Sequence, residues 1–287
     1  YLKKFGKPDL IHAHDIRFGI YVANAIYKKY NIPYLTTECS SETAENLFPN
    51  PLKKSTINIL KKSKAVTACS KPFSKVFKKK LGLKNIKVKT IYPVLPGDIS
   101  KNFTIKKKTN KNFIFITVNR LDKNKNIKFI IESFIKGFKN EKAILKIIGD
   151  GPEIGNLIKI TKDSGFERKI IFIRKASRKA MKKELAISDC FLSSSLHETF
   201  GVVLIEALAF GVPVISTRAE GPSEIVNNNN GFLVKHNDQI SYTNCMRKIF
   251  FKKKKFNRLK LRKNIIKRFG AEKFAESINK IYKKCLN

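Results

Sequence analysis

The chain has 287 residues, of which 42% are apolar, and this is enough for one large domain or two ordinary ones. Sixty lysines and arginines against 22 acidic residues give a formal net charge of +38. Five scattered cysteines without a CxxC pair argue against a disulfide framework and a zinc site, and no apolar run reaches the roughly 18 to 20 residues that span a bilayer.

The excess of positive charge has two interpretations. It is typical of proteins with anionic partners, namely nucleic acid, an acidic membrane surface or phosphorylated substrates. It also follows from a bias in the coding sequence, because Lys, Asn, Ile and Phe are abundant while Gly, Pro and Trp are sparse. The composition leaves both interpretations open.

The cysteine usage and the lack of an opening signal peptide favour the reducing cytosol as the compartment. The chain begins with Tyr rather than Met, and YLKKFGKPDLIHAH (1–14) is typical of the middle of a domain. We therefore expect a fragment that has lost an N-terminal piece.

Strand-like and helix-like segments alternate in the first part of the chain, which predicts a parallel sheet covered by helices. The predicted strands are DLIHAH (9–14), PYLTTE (33–38), AVTACS (65–70) and VKTIYP (88–93). The predicted helices are FGIYVANAIYKKY (18–30), PLKKSTINILKKS (51–63) and PFSKVFKKKLG (72–82). This first domain is predicted over 1–98. Pro, Gly and a Lys/Asn run without periodicity then predict a linker over 99–111.

The second part of the chain repeats the alternation over 112–264. Its predicted strands are FIFITV (113–118), ILKIIG (144–149), KIIFI (169–173), DCFLSSS (189–195) and VPVIST (212–217). Its predicted helices are IKFIIESFIKGF (127–138), one after the GDGP turn (149–152), SRKAMKKELAIS (177–188), VVLIEALAF (202–210) and a basic helix over 239–255. A further basic helix over 271–285, within a C-terminal segment 265–287, is expected to pack back toward the first domain.

The helix VVLIEALAF (202–210) is apolar all round and should be buried, yet Glu206 lies in its middle. A buried carboxylate is costly unless hydrogen-bond donors meet it, so either an internal Arg or Lys or the hydroxyls of a ligand must do so. Glu198 precedes the helix, and Gly201 at its start lets a ligand approach the N–H groups that favour phosphate. The spacing leaves a ligand site and a structural ion pair as alternatives.

The stretch HETFGVVLIEALAFGVPVI (197–215) resembles the Glu-x7-Glu signature of the retaining glycosyltransferases of family 4. Further similar segments follow in the family's order, namely PDLIHAHD (8–15), LTTECSS (35–41), VNRLDKNKNI (118–127), ILKIIGDGP (144–152) and GPSEIVNNNNGFLV (221–234). The resemblance implies an α/β protein of the GT-B fold. That fold has two Rossmann-like doubly wound domains facing across a cleft, and the first of them is expected to be incomplete here.

The resemblance implies a nucleotide diphosphate sugar donor, either UDP- or GDP-linked. Arg120 and Lys125 match the residues that clamp its diphosphate, and Glu206 matches the glutamate that binds the ribose hydroxyls. Backbone N–H groups of Gly201, Val202 and Val203 should contact sugar or phosphate.

The implied reaction is transfer of a hexosyl group, with retention of configuration, to a hydroxyl of a glycan or lipid-linked acceptor in envelope, capsule or exopolysaccharide synthesis. Glu198 matches the glutamate beside the donor sugar, and His14 matches the histidine near sugar and acceptor. His12 is expected to be structural and His197 incidental. No DxD motif is present, so no metal or other cofactor is expected.

The sequence departs from the family pattern in several places. Asn119 and Asn126 replace glycines, which each can imitate in the left-handed conformation. Arg174 stands where relatives often have Gly near the base, and Cys39 where many have His. The family's N-terminal Gly-rich loop is missing, so the fragment by itself need not be active.

Basic segments indicate a further partner. In PFSKVFKKKLGLK (72–84), the apolar residues Phe73, Val76, Phe77 and Leu81 lie near one face, and FFKKKKF (250–256) and LKLRKNIIKRF (259–269) add charge. Basic amphipathic helices bind anionic bilayers with about 1 kcal/mol per Lys or Arg. A peripheral position on the inner face of the plasma membrane and a merely solvated Lys-rich face are both open.

Two rival functions remain. A basic nucleic-acid-binding protein has only the charge in its favour, because no aromatic-rich RNA motif, finger or basic zipper is present, and no nucleic acid is expected. A non-catalytic GT-B-like protein that binds a membrane or a partner is the other alternative.

Overall fold

The computed structural model describes residues 2–40, 50–100, 112–252 and 254–287. They form two compact α/β units, the first comprising Tyr1–Val94 with Ala271–Asn287 and the second Leu95–Gly270. Each unit contains one parallel sheet, which confirms the predicted fold class. Residues 101–111, most of the predicted linker, lie outside the described residues.

The sheet of the first unit has four strands in the order β1-β2-β3-β4, and all neighbours are parallel. The strands are β1 (Ile11–His14), β2 (Tyr34–Glu38), β3 (Ala65–Ala68) and β4 (Val88–Thr90). Each strand therefore lies next to its sequence neighbour, as expected when every connection crosses over in the same direction.

The sheet of the second unit has six parallel strands in the order β10-β9-β8-β5-β6-β7. The strands are β5 (Phe113–Val118), β6 (Ala143–Ile148), β7 (Ile170–Ile173), β8 (Cys190–Ser193), β9 (Val214–Thr217) and β10 (Gly231–Val234). The chain winds outward from β5 to one edge, returns to pair β8 with β5, and then winds to the other edge. This is the strand order of a Rossmann-like domain.

The described helices connect these strands. They are α1 (Leu2–Phe5), α2 (Ile20–Tyr30), α3 (Asn50–Lys62), α4 (Lys71–Leu81), α5 (Gly97–Ser100), α6 (Ile127–Phe138), α7 (Ile154–Asp163), α8 (Arg178–Ile187), α9 (Val202–Ala209), α10 (Pro222–Ile225), α11 (Gln239–Phe250), α12 (Arg258–Phe269) and α13 (Ala271–Leu286). A π-helical turn over Asp15–Gly19 and a 3₁₀ turn over Lys123–Lys125 are shorter additions.

Strand β10 is not among the predicted strands, and the helices that follow it also differ from the sequence prediction. The helix predicted over 239–255 ends at Phe250, and a separate helix, α12, follows it. The apolar residues Leu261, Ile265 and Phe269 of α12 recur every fourth position and are buried, but basic residues surround them. The sequence prediction missed this helix because the charge concealed the helical period, while the lysines of the segment are exposed, as expected of basic surface.

The division between the units also differs from the predicted boundaries. The Leu95 N–H donates to Phe269 O at 2.7 Å, and Arg262 donates to Ile99 O and Ser100 O at 3.2 and 2.7 Å. These bonds hold the segment before residue 101 on the second unit, and α12 belongs there too. Only α13 of the segment 265–287 joins the first unit.

Helix α13 packs on the sheet of the first unit. Its residues Ile278, Ile281 and Cys285 form a buried cluster with apolar side chains of the strands, among them Leu35 and Ala65. The first unit is thus completed by residues from the far end of the chain.

The apolar side of α4 faces the interior of its own unit. Phe73, Phe77 and Leu81 are buried, with exposed fractions of 0%, 0% and 2%, and Val76 is partly buried. These side chains are not available to a bilayer, so any attraction of this helix to a membrane would come from its lysines. Within the described residues, no helix has an apolar stretch long enough to cross a bilayer.

Two glycines of the second unit provide a matched test of the packing. A Cβ on Gly221 would overlap the backbone of Phe200, whereas a Cβ on Gly155, inside α7, would meet no atom within 4 Å. We expect Gly221→Ala to lower the free energy of unfolding by about 2 kcal/mol or more, because the backbone of Phe200 would have to move to make room for the methyl group. Gly155→Ala should raise it by about 0.5 to 1 kcal/mol. Urea denaturation of both variants checks this, and equal effects would contradict the packing described.

His12 links β1 to α13. Its Nδ1 lies 2.9 Å from the Tyr282 hydroxyl, and its Nε2 lies 2.6 Å from Thr37 Oγ1. Burial, with a smaller contribution from the neighbouring His14, lowers the pKa of His12 to about 4. His12 is therefore a neutral, hydrogen-bonded structural residue at neutral pH, in line with the sequence interpretation.

This depressed pKa predicts an acid-sensitive stability. The unfolded chain takes up a proton on His12 near the ordinary histidine pKa of 6.5, while the folded chain does so only near 4. The stabilisation is thus complete above about pH 6.5 and is lost as the pH falls toward 4. We expect His12→Gln, which keeps hydrogen-bonding groups but does not titrate, to show a smaller loss of melting temperature over this range. Parallel pH profiles of the two proteins would contradict the assignment.

Candidate functional site

The loops that follow β5 and β8 meet at the carboxyl ends of the strands in the sheet of the second unit. The two strands are neighbours, although β6 and β7 separate them in sequence, because the winding direction reverses here. The loops comprise residues 119–126 and 194–201. In open parallel sheets, ligands bind outside the carboxyl ends of the strands at such a reversal.

Hydrogen bonds join these two loops. The Asn124 side chain donates from Nδ2 to His197 O at 3.0 Å and accepts from the His197 N–H at 2.9 Å. The Leu196 N–H donates to Asn124 O at 2.8 Å, and Ser194 Oγ donates to Lys125 O at 2.8 Å. Asn124 therefore sets the relative position of the loops. Sequence reasoning missed it, because nothing in a Lys/Asn-rich loop distinguishes one Asn from another.

Lys125 and Glu198, one from each loop, form an ion pair. Lys125 Nζ lies 2.7 Å from Glu198 Oε2, and the side chains are only 21% and 17% exposed. The backbone of Glu198 is fixed as well, since its oxygen accepts from the Gly221 N–H at 2.7 Å. The structure thus brings together two predicted site residues that are 73 positions apart.

Gly201 opens helix α9 without a side-chain cap. It adopts a φ of +98°, in the left-handed region that favours glycine, and a Cβ here would meet Leu204 Cδ1 at 2.9 Å. The first N–H groups of a helix, here those of Val202 and Val203, have no acceptor within the helix. With the positive end of the helix dipole, they form a site suited to an anion.

Glu206 is buried in α9, as predicted, with 4% of its surface exposed. Its Oε1 accepts a hydrogen bond from Arg178 Nη2 at 3.2 Å. Burial raises the pKa of Glu206, and Arg178 opposes this shift. Of the two partners that the sequence left open, the structure supplies the internal arginine.

Arg178 is also bound to Asp98 of α5. Its Nε and Nη2 lie 2.8 and 3.1 Å from the two Asp98 oxygens, and Lys182 Nζ lies 2.9 Å from one of them. Hydrogen bonds from Arg178 and Lys182 hold the pKa of Asp98 well below its usual range. Neither Asp98, which falls at the predicted domain boundary, nor Arg178 was assigned a role from the sequence.

Arg120 lies in the loop after β5 but makes little contact. Its side chain is 75% exposed, and its Nε lies 3.6 Å from Asp122 Oδ2. Asn126 adopts a φ of +48°, which confirms the predicted left-handed conformation, while Asn119 does not lie in the positive-φ region. Asn119 instead donates from Nδ2 to Thr117 Oγ1 at 2.8 Å.

The turn after β6 packs beside this loop. The Leu121 N–H donates to Asp150 O at 2.9 Å, and a Cβ on either Gly149 or Gly151 would overlap the loop backbone. Arg174 Nη2 lies 3.3 Å from both oxygens of Asp150. The arginine that replaces a glycine of the family is therefore anchored to the GDGP turn.

His14 belongs to the first unit. It is exposed at the carboxyl end of β1, and its ring stacks on that of His12 with centroids 4.2 Å apart. The π-helical turn starting at Asp15 follows directly.

Among the residues that the structure describes, no group of three or more His, Cys, Asp or Glu side chains is placed to hold a metal ion.

The chain is similar in sequence to known proteins. The chain is 28% identical over 172 residues to the N-acetyl-alpha-D-glucosaminyl L-malate synthase of Bacillus anthracis, covering 59% of this chain and 45% of that protein. It is 35% identical over 106 residues to the lipopolysaccharide core biosynthesis glycosyltransferase LpsE of Rhizobium meliloti, covering 37% and 31%. The matches thus span less than half the length of these relatives.

Solved structures show the same fold. A glycosyltransferase from Rickettsia africae matches with a TM-score of 0.82 at 22% identity, covering 100% of this chain and 79% of that one. Anabaena HepE, solved in complex with UDP, matches with a TM-score of 0.80 at 18% identity, covering 96% and 78%. At these identities the likeness concerns the fold alone, and it agrees with the predicted GT-B class.

Family models account for both units. Residues 1–95 match the model described as Glycosyltransferase Family 4, and residues 98–268 match the model described as Glycosyl transferases group 1. The second match covers more than half of the chain and includes both loops of the site. The protein therefore belongs to the group 1 glycosyl transferases, the family that the Glu-x7-Glu segment indicated.

Proposed function

We propose that this chain carries the donor site of a retaining glycosyltransferase, which moves a sugar from a UDP- or GDP-sugar to a hydroxyl of a glycan or lipid-linked acceptor. The observation that carries the proposal is the arrangement at the reversal of strand order. The partly buried Lys125–Glu198 pair joins the two loops. The uncapped start of α9 follows Glu198, and the buried Glu206 lies further along the same helix. Anabaena HepE, which has the same fold, binds UDP.

The diphosphate would bind between the two loops. Lys125 is held in place by Glu198, so its ammonium group is preorganised, and Arg120 is exposed and able to turn toward a ligand. The N–H groups of Val202 and Val203 would donate to a phosphate or sugar oxygen. Fixed cations stabilise the charge that develops on the leaving diphosphate, which is why no metal or other cofactor is proposed.

The ribose would bind at Glu206. Among the described residues, Arg178 is the hydrogen-bond partner of its carboxylate and contacts Oε1, which leaves Oε2 for a ligand hydroxyl. An ionised carboxylate accepts hydrogen bonds from hydroxyl groups and gives charge-assisted bonds of more than average strength.

The transfer would then proceed on one face of the sugar. The bond from the anomeric carbon to the diphosphate oxygen breaks, and the acceptor oxygen bonds to the same face. The acceptor proton passes to the departing phosphate oxygen, so no separate protein base is needed. Glu198 would lie beside the sugar ring, and the family resemblance assigns His14 a role toward sugar and acceptor.

The acceptor and location are part of the same proposal. The relative LpsE is named for lipopolysaccharide core biosynthesis, which favours an acceptor of envelope synthesis. The cysteines are odd in number and include no CxxC pair, which is typical of a reducing compartment, so a cytoplasmic location is proposed. An anionic membrane surface would be bound by the lysines, because the apolar side of α4 is buried.

A nucleotide titration tests the donor site. We expect millimolar UDP or GDP, but not ADP, to raise the melting temperature, since a ligand at 100 times its Kd stabilises a protein by about 2.7 kcal/mol. The rise should be lost in Glu206→Ala. Glu184→Ala, which removes the partner of Lys146 elsewhere in the second unit, is the control and should keep it. No rise with UDP or GDP would count against the proposal.

A pair of lysine variants tests the diphosphate contact. Lys123 and Lys125 lie in the same loop, but only Lys125 is paired with Glu198 across the site. We expect Lys125→Met to raise the Kd for UDP about tenfold, which corresponds to about 1.4 kcal/mol of binding free energy. Lys123→Met should change the Kd little. The effect of Lys125→Met should be smaller for UMP. Equal losses for UMP and UDP, measured by calorimetry, would rule out the clamp.

A further inference from the structure

Arg178 connects two acidic residues that are far apart in sequence. It is the first residue of α8, and its guanidinium group contacts Asp98 of α5 and Glu206 of α9. The contact with Asp98 uses two nitrogens and both carboxylate oxygens, at 2.8 and 3.1 Å. Such a bidentate pair fixes the plane of the guanidinium group as well as its position.

The fixed guanidinium group matters because Glu206 is nearly inaccessible to water. An ionised carboxylate that is 4% exposed needs a compensating charge. The charged groups that act on it are Arg178, which favours its ionised form, and Asp98, which disfavours it. Lys182 offsets Asp98 without contacting Glu206, so Arg178 provides the compensation.

The segment that carries Asp98 is itself held in place. Arg262 donates to Ile99 O and Ser100 O of this segment, and it also donates to Ala209 O at the end of α9. Asp98 is therefore positioned against the same helix that carries Glu206. Because half of the Arg178 side chain remains exposed, this anchoring decides where its guanidinium group points.

We propose that Arg178, anchored by Asp98, is a positioning residue of the nucleotide site, which keeps Glu206 ionised and directs its second carboxylate oxygen toward the ribose. The inference rests on the proposed function, since it assigns how the ribose contact is maintained. A protonated Glu206 would offer fewer acceptors to the ribose, and proton uptake would compete with binding. With Arg178 in place, we expect the contact between Glu206 and the ribose not to depend on pH near neutrality.

The test is the pH profile of UDP binding, measured from the nucleotide-dependent shift in melting temperature between about pH 6 and about pH 8. The terminal phosphate of UDP itself titrates at about pH 6. After correction for that titration, the wild-type Kd should stay constant. In Arg178→Met the Kd should rise about tenfold for each pH unit below the raised pKa of Glu206, because one proton must be released on binding. Arg178→Lys should restore the flat profile in part. Asp98→Asn removes the anchor of the guanidinium group and also a negative charge that disfavours ionised Glu206, so its readout is the preference for ribose, which should fall.

Arg247→Met is the matched control. Arg247 donates to Gly137 O at 2.6 Å and lies in the same unit, but it does not contact Glu206. Its profile should stay flat, so a slope cannot arise from the loss of any partly buried arginine. A second readout compares UDP with 2′-deoxy-UDP: the preference for the ribose should shrink in Arg178→Met at the lower pH.

The outcomes separate the two proposals. If the wild-type protein binds UDP and Arg178→Met keeps both its profile and its preference for ribose, the role of Arg178 is disproved and the donor site stands. If no nucleotide stabilises the wild-type protein at any pH, the donor site fails and the role of Arg178 fails with it. If Arg178→Met does not fold, the ribose preference of Asp98→Asn decides, and an unchanged preference there overturns the proposal.

Discussion

A carboxylate in the middle of an apolar helix must be compensated, and this requirement connects three separate segments of the second unit. Glu206 is 4% exposed in α9, and the compensating charge comes from Arg178, 28 positions earlier. Arg178 is in turn bound by Asp98, which precedes the first strand of the unit. The bonds explain why Asp98 belongs to the second unit, although the sequence prediction placed it at the end of the first domain. One buried charge thus bears on both the site and the domain boundary.

The site itself follows from the strand order. Because β8 returns to the side of β5, the loops that follow these strands lie next to each other, and the hydrogen bonds of Asn124 join them. Lys125 and Glu198 then neutralise each other in a partly buried position next to the uncapped start of α9. Cation, carboxylate and free helix N–H groups are therefore all in place before any ligand arrives. Preorganised charges of this kind need little rearrangement when a charged ligand binds or reacts.

The net charge of +38 does not prevent local charge pairing beside the two loops. Acidic residues are few, and Asp98, Asp150, Glu198 and Glu206 each pair with a cation beside the loops. The basic helix α4 has the amphipathic pattern of a helix that binds an anionic bilayer surface, yet its phenylalanines are buried in the first unit. An apolar stripe on a helix is a signal of burial, and the sequence does not distinguish burial in the protein from burial in a bilayer. Its lysines are left as the part that meets solvent or an anionic partner.

The amino-acid sequence by itself determined the local elements and the family. Strand β5 and helix α6 have the predicted bounds, Asn126 is left-handed as predicted, and the Glu-x7-Glu segment indicated the family that the comparisons established. Only the tertiary structure decided that Arg178 meets Glu206, that Asn124 joins the two loops, and that α12 and α13 belong to different units. Periodicity, capping and turn preferences act between residues a few positions apart, so the sequence displays them directly. Contacts between distant residues depend on strand order and crossover paths, which no local pattern specifies.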